Sequence, residues 1–207
     1  MPEIRTPATT IERLPLYYRC VQKLDSKGVE VISSQELGEM IGIPSTQVRK
    51  DLSYYGEFGR RGVGYEVDNL VKNLQRILGL DESWELLLVG AGNLGQALVN
   101  YGGFERLGLN INYALDVDDD KIGDKLGKAE IHSIDELEEV VANNKINIAI
   151  LAVPDENAQE IADRLIAAGV KAIWNFVPVR LEVPEDVEVR NEDLAIGLIS
   201  LTYYLSN

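Results

Sequence analysis

Leu86-Leu87-Leu88-Val89-Gly90-Ala91-Gly92-Asn93-Leu94-Gly95 is the stretch that decides the fold. Its apolar run of four predicts a buried strand, and residues 94–101 follow with a helical pattern. Between them, Gly90 permits a tight turn and Gly92 lets backbone approach a pyrophosphate. Gly95 permits close packing of helix on strand. A helix N-terminus at this point offers the positive end of its dipole to phosphate. Gly90, Ala91, Gly92, Asn93, Leu94 and Gly95 are therefore the candidate phosphate cradle.

Downstream the periodicity alternates as in parallel α/β folds. Strands are expected at 111–115, 146–153, 170–175 and 187–189, with helices at 135–141 and 157–168. The second strand runs into Asp116 and Val117. Asp116 lies 21 residues beyond Gly95, where a carboxylate accepts from the adenosine ribose hydroxyls. A carboxylate there disfavours a 2′-phosphate, so NAD(H) is expected over NADP(H); the nearest basic residue downstream is Lys121. Val153-Pro154 and Asn175-Phe176 end later strands and are candidates for the nicotinamide end. Asp118, Asp119 and Asp120 read as an acidic loop and a helix start, not a metal site.

Upstream lies a different architecture. Ile11, Leu14, Tyr17, Tyr18, Val21 and Leu24 recur at helical spacing over residues 10–24, with Pro15 placing the start near Leu14. Ser33 and Glu36 form a capping box for a second helix ending at Gly42. After Ile43-Pro44, Ser45 is expected to cap a third helix running to about Tyr54. Two short helices across this turn make a helix-turn-helix. Its second helix offers Ser45, Thr46, Gln47, Arg49, Lys50, Ser53 and Tyr54 to a major groove, where arginine suits guanine and glutamine suits adenine. Residues 58–67 read as a glycine-rich hairpin carrying Arg60, Arg61 and Gly62 at its tip, a wing suited to a narrow minor groove. Asp68 is expected to cap a further helix, closed by Gly79.

Charge supports this division. The net charge is −14, yet residues 1–79 hold 11 Lys/Arg against 10 Asp/Glu, while residues 80–207 hold 9 against 24. The first part can meet DNA phosphate, and the acidic remainder would repel it. The expected domains are 1–80, a winged helix; 81–190, a Rossmann-type parallel sheet; and 191–207, a final helix. That helix, capped by Asp193, is apolar on many faces and needs more than its own chain to cover it. Cys20, the single cysteine, fits a buried thiol and a reducing compartment. No apolar run approaches the ~20 residues of a membrane span and no signal peptide is evident, so a cytoplasmic protein is expected.

Hydride transfer would need a substrate pocket and a proton carrier. The one histidine, His132, lies away from the main strand ends, and no sequence remains for a substrate domain. The composition therefore points to a ligand-gated DNA-binding regulator, not an enzyme. A regulator gated by another nucleotide, and a small NAD-dependent oxidoreductase, are the competing readings; detectable hydride transfer separates the latter.

The chain closely resembles the Rex family of bacterial redox-sensing repressors over essentially its whole length. The resemblance rests on Arg13-Leu14-Pro15 with Tyr17-Tyr18-Arg19, and on Gln47-Val48-Arg49-Lys50-Asp51-Leu52-Ser53-Tyr54-Tyr55-Gly56-Glu57-Phe58-Gly59. Arg61-Gly62-Val63-Gly64-Tyr65, the glycine fingerprint, Ala152-Val153-Pro154 and Asn175-Phe176 complete it. It implies a homodimer with a domain-swapped C-terminal helix. It also implies NADH and NAD+ competing as regulatory ligands, and a pseudo-palindromic operator in double-stranded DNA released by NADH. Tyr101 and Phe104 match positions near the nicotinamide, and Arg13, Tyr101 and Asp193 match residues that couple nucleotide state to domain orientation.

Overall fold

A computed structural model describes residues 6–60 and 62–206, which divide into two compact units, Met1–Glu82 and Ser83–Asn207. In the first, α1 (Ala8–Asp25) is followed by β1 (Val31–Ile32), α2 (Ser34–Ile41) and α3 (Ser45–Ser53). Then come β2 (Gly59–Arg60), β3 (Gly64–Glu66) and α4 (Val67–Ile77). Leu14, Tyr17, Val21, Leu37, Val48, Leu52, Leu70 and Leu74, each nearly or fully buried, bring the four helices onto one core. The three strands pair antiparallel in the order β1-β3-β2.

The structure corrects several local expectations. The first helix begins at Ala8, with Pro15 inside it. Pro15 removes one helical donor, but packing of Leu14, Tyr17 and Tyr18 on both sides carries the helix through. Ser33 and Glu36 do form the reciprocal capping box, at 3.1 and 2.9 Å. Ser45 caps nothing; it is the first residue of α3, after Pro44. Asp68 lies one residue inside α4 and accepts from Asn69 N–H. The two-residue β1 carries too few residues to show an alternating pattern, so only the hairpin half of its sheet was visible beforehand.

The second unit comprises β4 (Trp84–Val89), α5 (Asn93–Val99), β5 (Leu109–Asp116), β6 (Lys125–Leu126), β7 (Ala129–Ser133), α6 (Leu137–Asn144) and β8 (Ile148–Leu151). It continues with α7 (Ala158–Ala167), β9 (Ala172–Asn175), β10 (Glu188–Asn191) and α8 (Leu194–Ser206). Strand order is β10-β9-β8-β4-β5-β7-β6, parallel except for the β6–β7 pair. One face packs Leu87, Val89 and Leu151 against α6 and α7. The other packs Leu88, Ala114 and Ile150 against Leu98 and Val99 of α5. Strands β6 and β7 escaped the sequence pattern because Lys125, Glu130 and His132 dilute their apolar content. His132 is part of β7, paired beside Leu115.

The chain leaves β4 toward β5 and β7, then returns to its other side at β8. The order reverses between β4 and β8, and ligands of such sheets bind at the carboxyl ends of the strands flanking that reversal.

Candidate nucleic-acid interface and nucleotide site

In the first unit, helix α3 buries Val48, Asp51 and Leu52 and turns Thr46, Arg49, Lys50 and Ser53 to solvent. The exposed four are the most accessible side chains of α3, with Ser45, Gln47 and Tyr54 half-buried beside them. Arg49 reaches back to Ser34 Oγ at 2.8 Å, which steadies it beside the start of α2. Between α3 and the hairpin runs an open groove of about 630 Å³ lined by Ser34, Arg49, Ser53, Phe58, Arg60 and Gly62. Arg60 stands 80% exposed, 3.5 Å from Glu66. Gly62 takes φ +81°, the left-handed conformation its hairpin turn requires. Arg61 lies outside the described residues.

Asp51 was not foreseen as functional, and it organises this unit. It is fully buried and accepts five hydrogen bonds: Thr10 Oγ1 (3.0 Å), Arg13 Nε (2.6 Å), Arg13 Nη2 (2.8 Å), Tyr17 Oη (2.7 Å) and Gln47 Nε2 (2.7 Å). Burial alone would raise its pKa. The donors of Arg13, Tyr17, Gln47 and Thr10 outweigh that and hold the carboxyl at about 2. The Tyr17 hydroxyl, buried beside this carboxylate, is pushed up from its usual value. Arg13 and Gln47, expected respectively as a coupling residue and a base reader, thus share one buried anchor. A buried aspartate on an otherwise exposed-looking helix is legible only once Arg13 and Tyr17 are known to face it.

In the second unit, Gly90 takes φ +102°, and a Cβ there would stand 2.2 Å from Ala152 O. Gly90 N–H donates to Leu115 O at 2.8 Å, and Ala152 N–H to Val89 O at 2.9 Å, so the turn is tied to strand ends on both sides. A Cβ on Gly95 would stand 2.2 Å from Gly90 O. Gly92 differs: a Cβ there meets nothing within 4 Å. Two of the glycines are required by the protein's own packing. Gly92 is not: it is exposed, and the space a Cβ would take is open, so its backbone is free for close approach by a ligand. Helix α5 starts there with no side-chain cap, leaving its first N–H groups without intrahelical partners.

Asp116 closes the other side of this cradle. Its carboxylate, 9% exposed, accepts from Ala91 N–H (2.8 Å), Asp118 N–H (3.0 Å) and Lys121 Nζ (3.3 Å). Burial opposes its charge, but these donors prevail and lower its pKa. Lys121, the nearest downstream cation in the sequence, sits directly against Asp116 and Asp118. The carboxylate is fixed at the end of β5 with part of its accepting capacity left over. Val117 beside it is 72% exposed. The cradle fits the diphosphate and ribose of a dinucleotide.

Residues 81–179 match the family described as "CoA binding domain", and residues 5–53 match "Putative DNA-binding protein N-terminus". The redox-sensing transcriptional repressor Rex of Desulforamulus reducens is 46% identical over 206 residues, covering 100% of this chain and 98% of that one. The chain belongs to the Rex family of redox-sensing transcriptional repressors. Among solved structures, RSP in complex with β-NAD+ and operator DNA is similar at a TM-score of 0.92 and 44% identity, covering 96% of this chain and 92% of that one. RSP in complex with β-NADH is similar at 0.89 and 42%, covering 97% and 94%. Rex proteins are regulators, not enzymes.

The remaining site residues of this Rex chain sort by geometry. Tyr101, Phe104, Trp174 and Phe176 form a continuous ladder with centroid separations of 4.9, 5.8 and 4.5 Å. Tyr101 ends it at the surface, 54% exposed. Trp174, absent from the expected residues, is the rung that joins Phe104 to Phe176; its alternation with buried Ile173 and Asn175 was its only signal. Asn175 is fully buried and spends its amide on Val177 O, Val179 O, Asn191 Oδ1 and Val177 N–H. It shapes the loop that carries Phe176. Val153 and Pro154 follow Ala152 at the end of β8, beside Gly90.

Asp193 Oδ1 accepts from Ala195 N–H at 2.8 Å, at the head of α8. That helix buries none of its residues in this chain: eight large apolar side chains, from Leu194 to Leu205, are 56–88% exposed. No helix among the described residues is long and apolar enough to cross a membrane.

Proposed function

We propose that this Rex chain is an NADH-gated repressor that works as a homodimer in the cytoplasm, binding a pseudo-palindromic operator and leaving it when NADH replaces NAD+. The observation that carries this is the pairing, in one chain, of a helix-and-wing groove with a glycine cradle whose central Gly92 faces outward. Similarity to RSP, solved with β-NAD+ and operator DNA and with β-NADH, supports both ligands.

In this reading α3 enters the major groove, with Thr46, Arg49, Lys50 and Ser53 toward bases and phosphates, and the hairpin sends Arg60 and Arg61 toward the minor groove. Two such units, paired by dimerisation, read half-sites about one helical turn apart. The nucleotide lies across the carboxyl ends of β4, β5 and β8. Gly90 to Gly95 hold the pyrophosphate, and Asp116 and Val117 hold the adenosine. Val153, Pro154 and the Asn175–Phe176 loop line the nicotinamide end, near the Tyr101–Phe104 rungs.

NADH and NAD+ differ in ring charge and planarity, so discrimination belongs to that last group and not to Asp116. The aromatic ladder carries the difference from Phe176 to exposed Tyr101. Arg13, Tyr101 and Asp193 pass it to the DNA-binding units. A second copy of the chain covers α8. Coupling then requires only that NADH bind the released arrangement better than the DNA-competent one.

The test selects genomic duplex fragments with the purified protein alone, with NAD+ and with NADH at one salt concentration. The expected result is a short inverted repeat whose enrichment NADH abolishes. Enrichment indifferent to NADH would remove the gating, and no enrichment would remove the DNA reader.

A further inference from the structure

Gln47 stands on the edge of α3, three residues into the helix, half-buried, with its amide turned toward Asp51. An amide side chain can be flipped, exchanging oxygen and nitrogen, and most surface glutamines are free to do so. Gln47 is not. Asp51 is an ionised, acceptor-only group at neutral pH, already receiving four hydrogen bonds from Thr10, Arg13 and Tyr17. Only the NH2 end of Gln47 can face it; the flipped amide would set Oε1 against a buried carboxylate. Of the two N–H bonds, the one beside Oε1 would bring that oxygen nearer the carboxylate, and the one on the Cγ side would not. Nε2 makes this bond at 2.7 Å, and donation through the hydrogen on the Cγ side is the arrangement that best separates Oε1 from the carboxylate. What remains is an adjacent acceptor and donor, Oε1 and the second N–H.

We infer that Gln47 is an adenine-specifying residue of the operator reader and that Asp51 is the positioning residue that fixes its polarity. In the major groove adenine alone offers a donor next to an acceptor, N6–H and N7. Guanine offers two acceptors, cytosine a donor, and thymine an acceptor beside a methyl. The edge that Asp51 leaves on Gln47, an acceptor beside a donor, is the complement of adenine N6–H and N7 on a single base. The inference rests on the proposal that α3 enters a major groove. It adds that one position of each half-site is read through buried Asp51 of α3, which Thr10, Arg13 and Tyr17 of α1 hold in place.

The experiment measures, by competition binding without nucleotide, every single-base variant of the operator selected by the wild-type protein. Wild type is expected to prefer A·T at one position of each half-site by about tenfold or more over the other pairs. Gln47→Ala should bring that preference within about twofold while leaving the other positions and the salt slope unchanged, since no charge is lost. Asp51→Asn alone strands the Arg13 charge and risks unfolding the unit, so the charge-neutral pair Arg13→Gln/Asp51→Asn is used with it. That pair, folded by circular dichroism, lets the Gln47 amide flip and should also flatten the preference at the same position.

A purely structural role would weaken all sequences equally. An unchanged profile for Gln47→Ala would overturn base reading by Gln47. A wild-type preference at that position in the folded double variant would overturn the positioning role of Asp51. Failure of the wild-type protein to select any sequence would instead overturn the DNA-binding proposal beneath both.

Discussion

Gly92→Ala and Gly95→Ala are the same chemical change three residues apart, and the structure assigns them opposite consequences. At Gly95 the added methyl would lie 2.2 Å from Gly90 O and 2.9 Å from Leu88 Cδ2, one of them backbone that cannot swing aside. Overpacking of this kind costs about 1–3 kcal/mol, and here the helix must move off its strand. At Gly92 the backbone is already in an ordinary extended conformation, φ −77° and ψ −166°, and the methyl meets no protein atom. Alanine is a poorer N-cap than glycine, but it also lowers the entropy of the unfolded chain by about 0.4–1 kcal/mol; the two nearly cancel. Gly92→Ala should therefore change unliganded stability by no more than about 0.5 kcal/mol.

Its effect should fall on the ligand. A methyl placed where the pyrophosphate approaches should weaken NADH by about tenfold or more, roughly 1.4 kcal/mol. Urea unfolding of the unliganded variants, followed by tryptophan fluorescence, gives the first quantity, since Trp84 and Trp174 both lie in the second unit. Titration calorimetry with NADH gives the second. Wild-type NADH affinity in a stably folded Gly92→Ala would refute the placement of the pyrophosphate. Equal destabilisation by both variants would refute the division of roles among the glycines.

Three further outcomes follow from the geometry. Asp51 has a folded pKa of about 2 against ~3.9 in an unfolded chain. The network's stabilisation is therefore complete above about pH 5 and is lost as pH falls toward 2, by roughly 2–3 kcal/mol. Protection factors of the α1 amides, corrected for intrinsic exchange, should fall through that window, and Arg13→Gln/Asp51→Asn should flatten the acid dependence; an identical pH profile would contradict the burial and ionisation assigned to Asp51. Arg60→Ala with Arg61→Ala should reduce the slope of log affinity against log salt by about 0.9 for each phosphate left unneutralised, and an unchanged slope would remove the wing from the interface. Leu201→Glu with Tyr204→Glu should shift sedimentation from dimer toward monomer, because α8 has no cover within its own chain; unchanged mass would mean that α8 does not form the dimer contact.

The glycine turn and the helix-turn-helix were legible in the sequence because their chemistry is local. A tight turn needs Gly90, and a capping box needs Ser33 and Glu36 three residues apart. The parallel strands announced themselves through unbroken apolar runs such as 148–151. Longer-range pairing was not legible. Strand β1 exists because Ile32 finds Tyr65, and β7 because Tyr113 through Asp116 pair with it; neither carries its own pattern. The same holds for the site. Asp51 looks like a solvated helix residue until Arg13, 38 positions away, faces it. Trp174 looks like core until Phe104 and Phe176 flank it. Gln47 was legible as a polar residue on a reading helix, but its orientation came only from its neighbour on the next turn.

Coupling between nucleotide and DNA is the central claim, and linkage makes it directly measurable. The dissociation constant for NADH is measured on free protein and on protein saturated with its selected operator, at one salt concentration, with NAD+ in parallel. NADH should bind the operator complex at least tenfold more weakly than free protein, operator should bind the NADH-loaded protein more weakly by the same factor, and NAD+ should show little difference. Equal NADH affinity with and without operator would contradict it, however tightly either ligand binds.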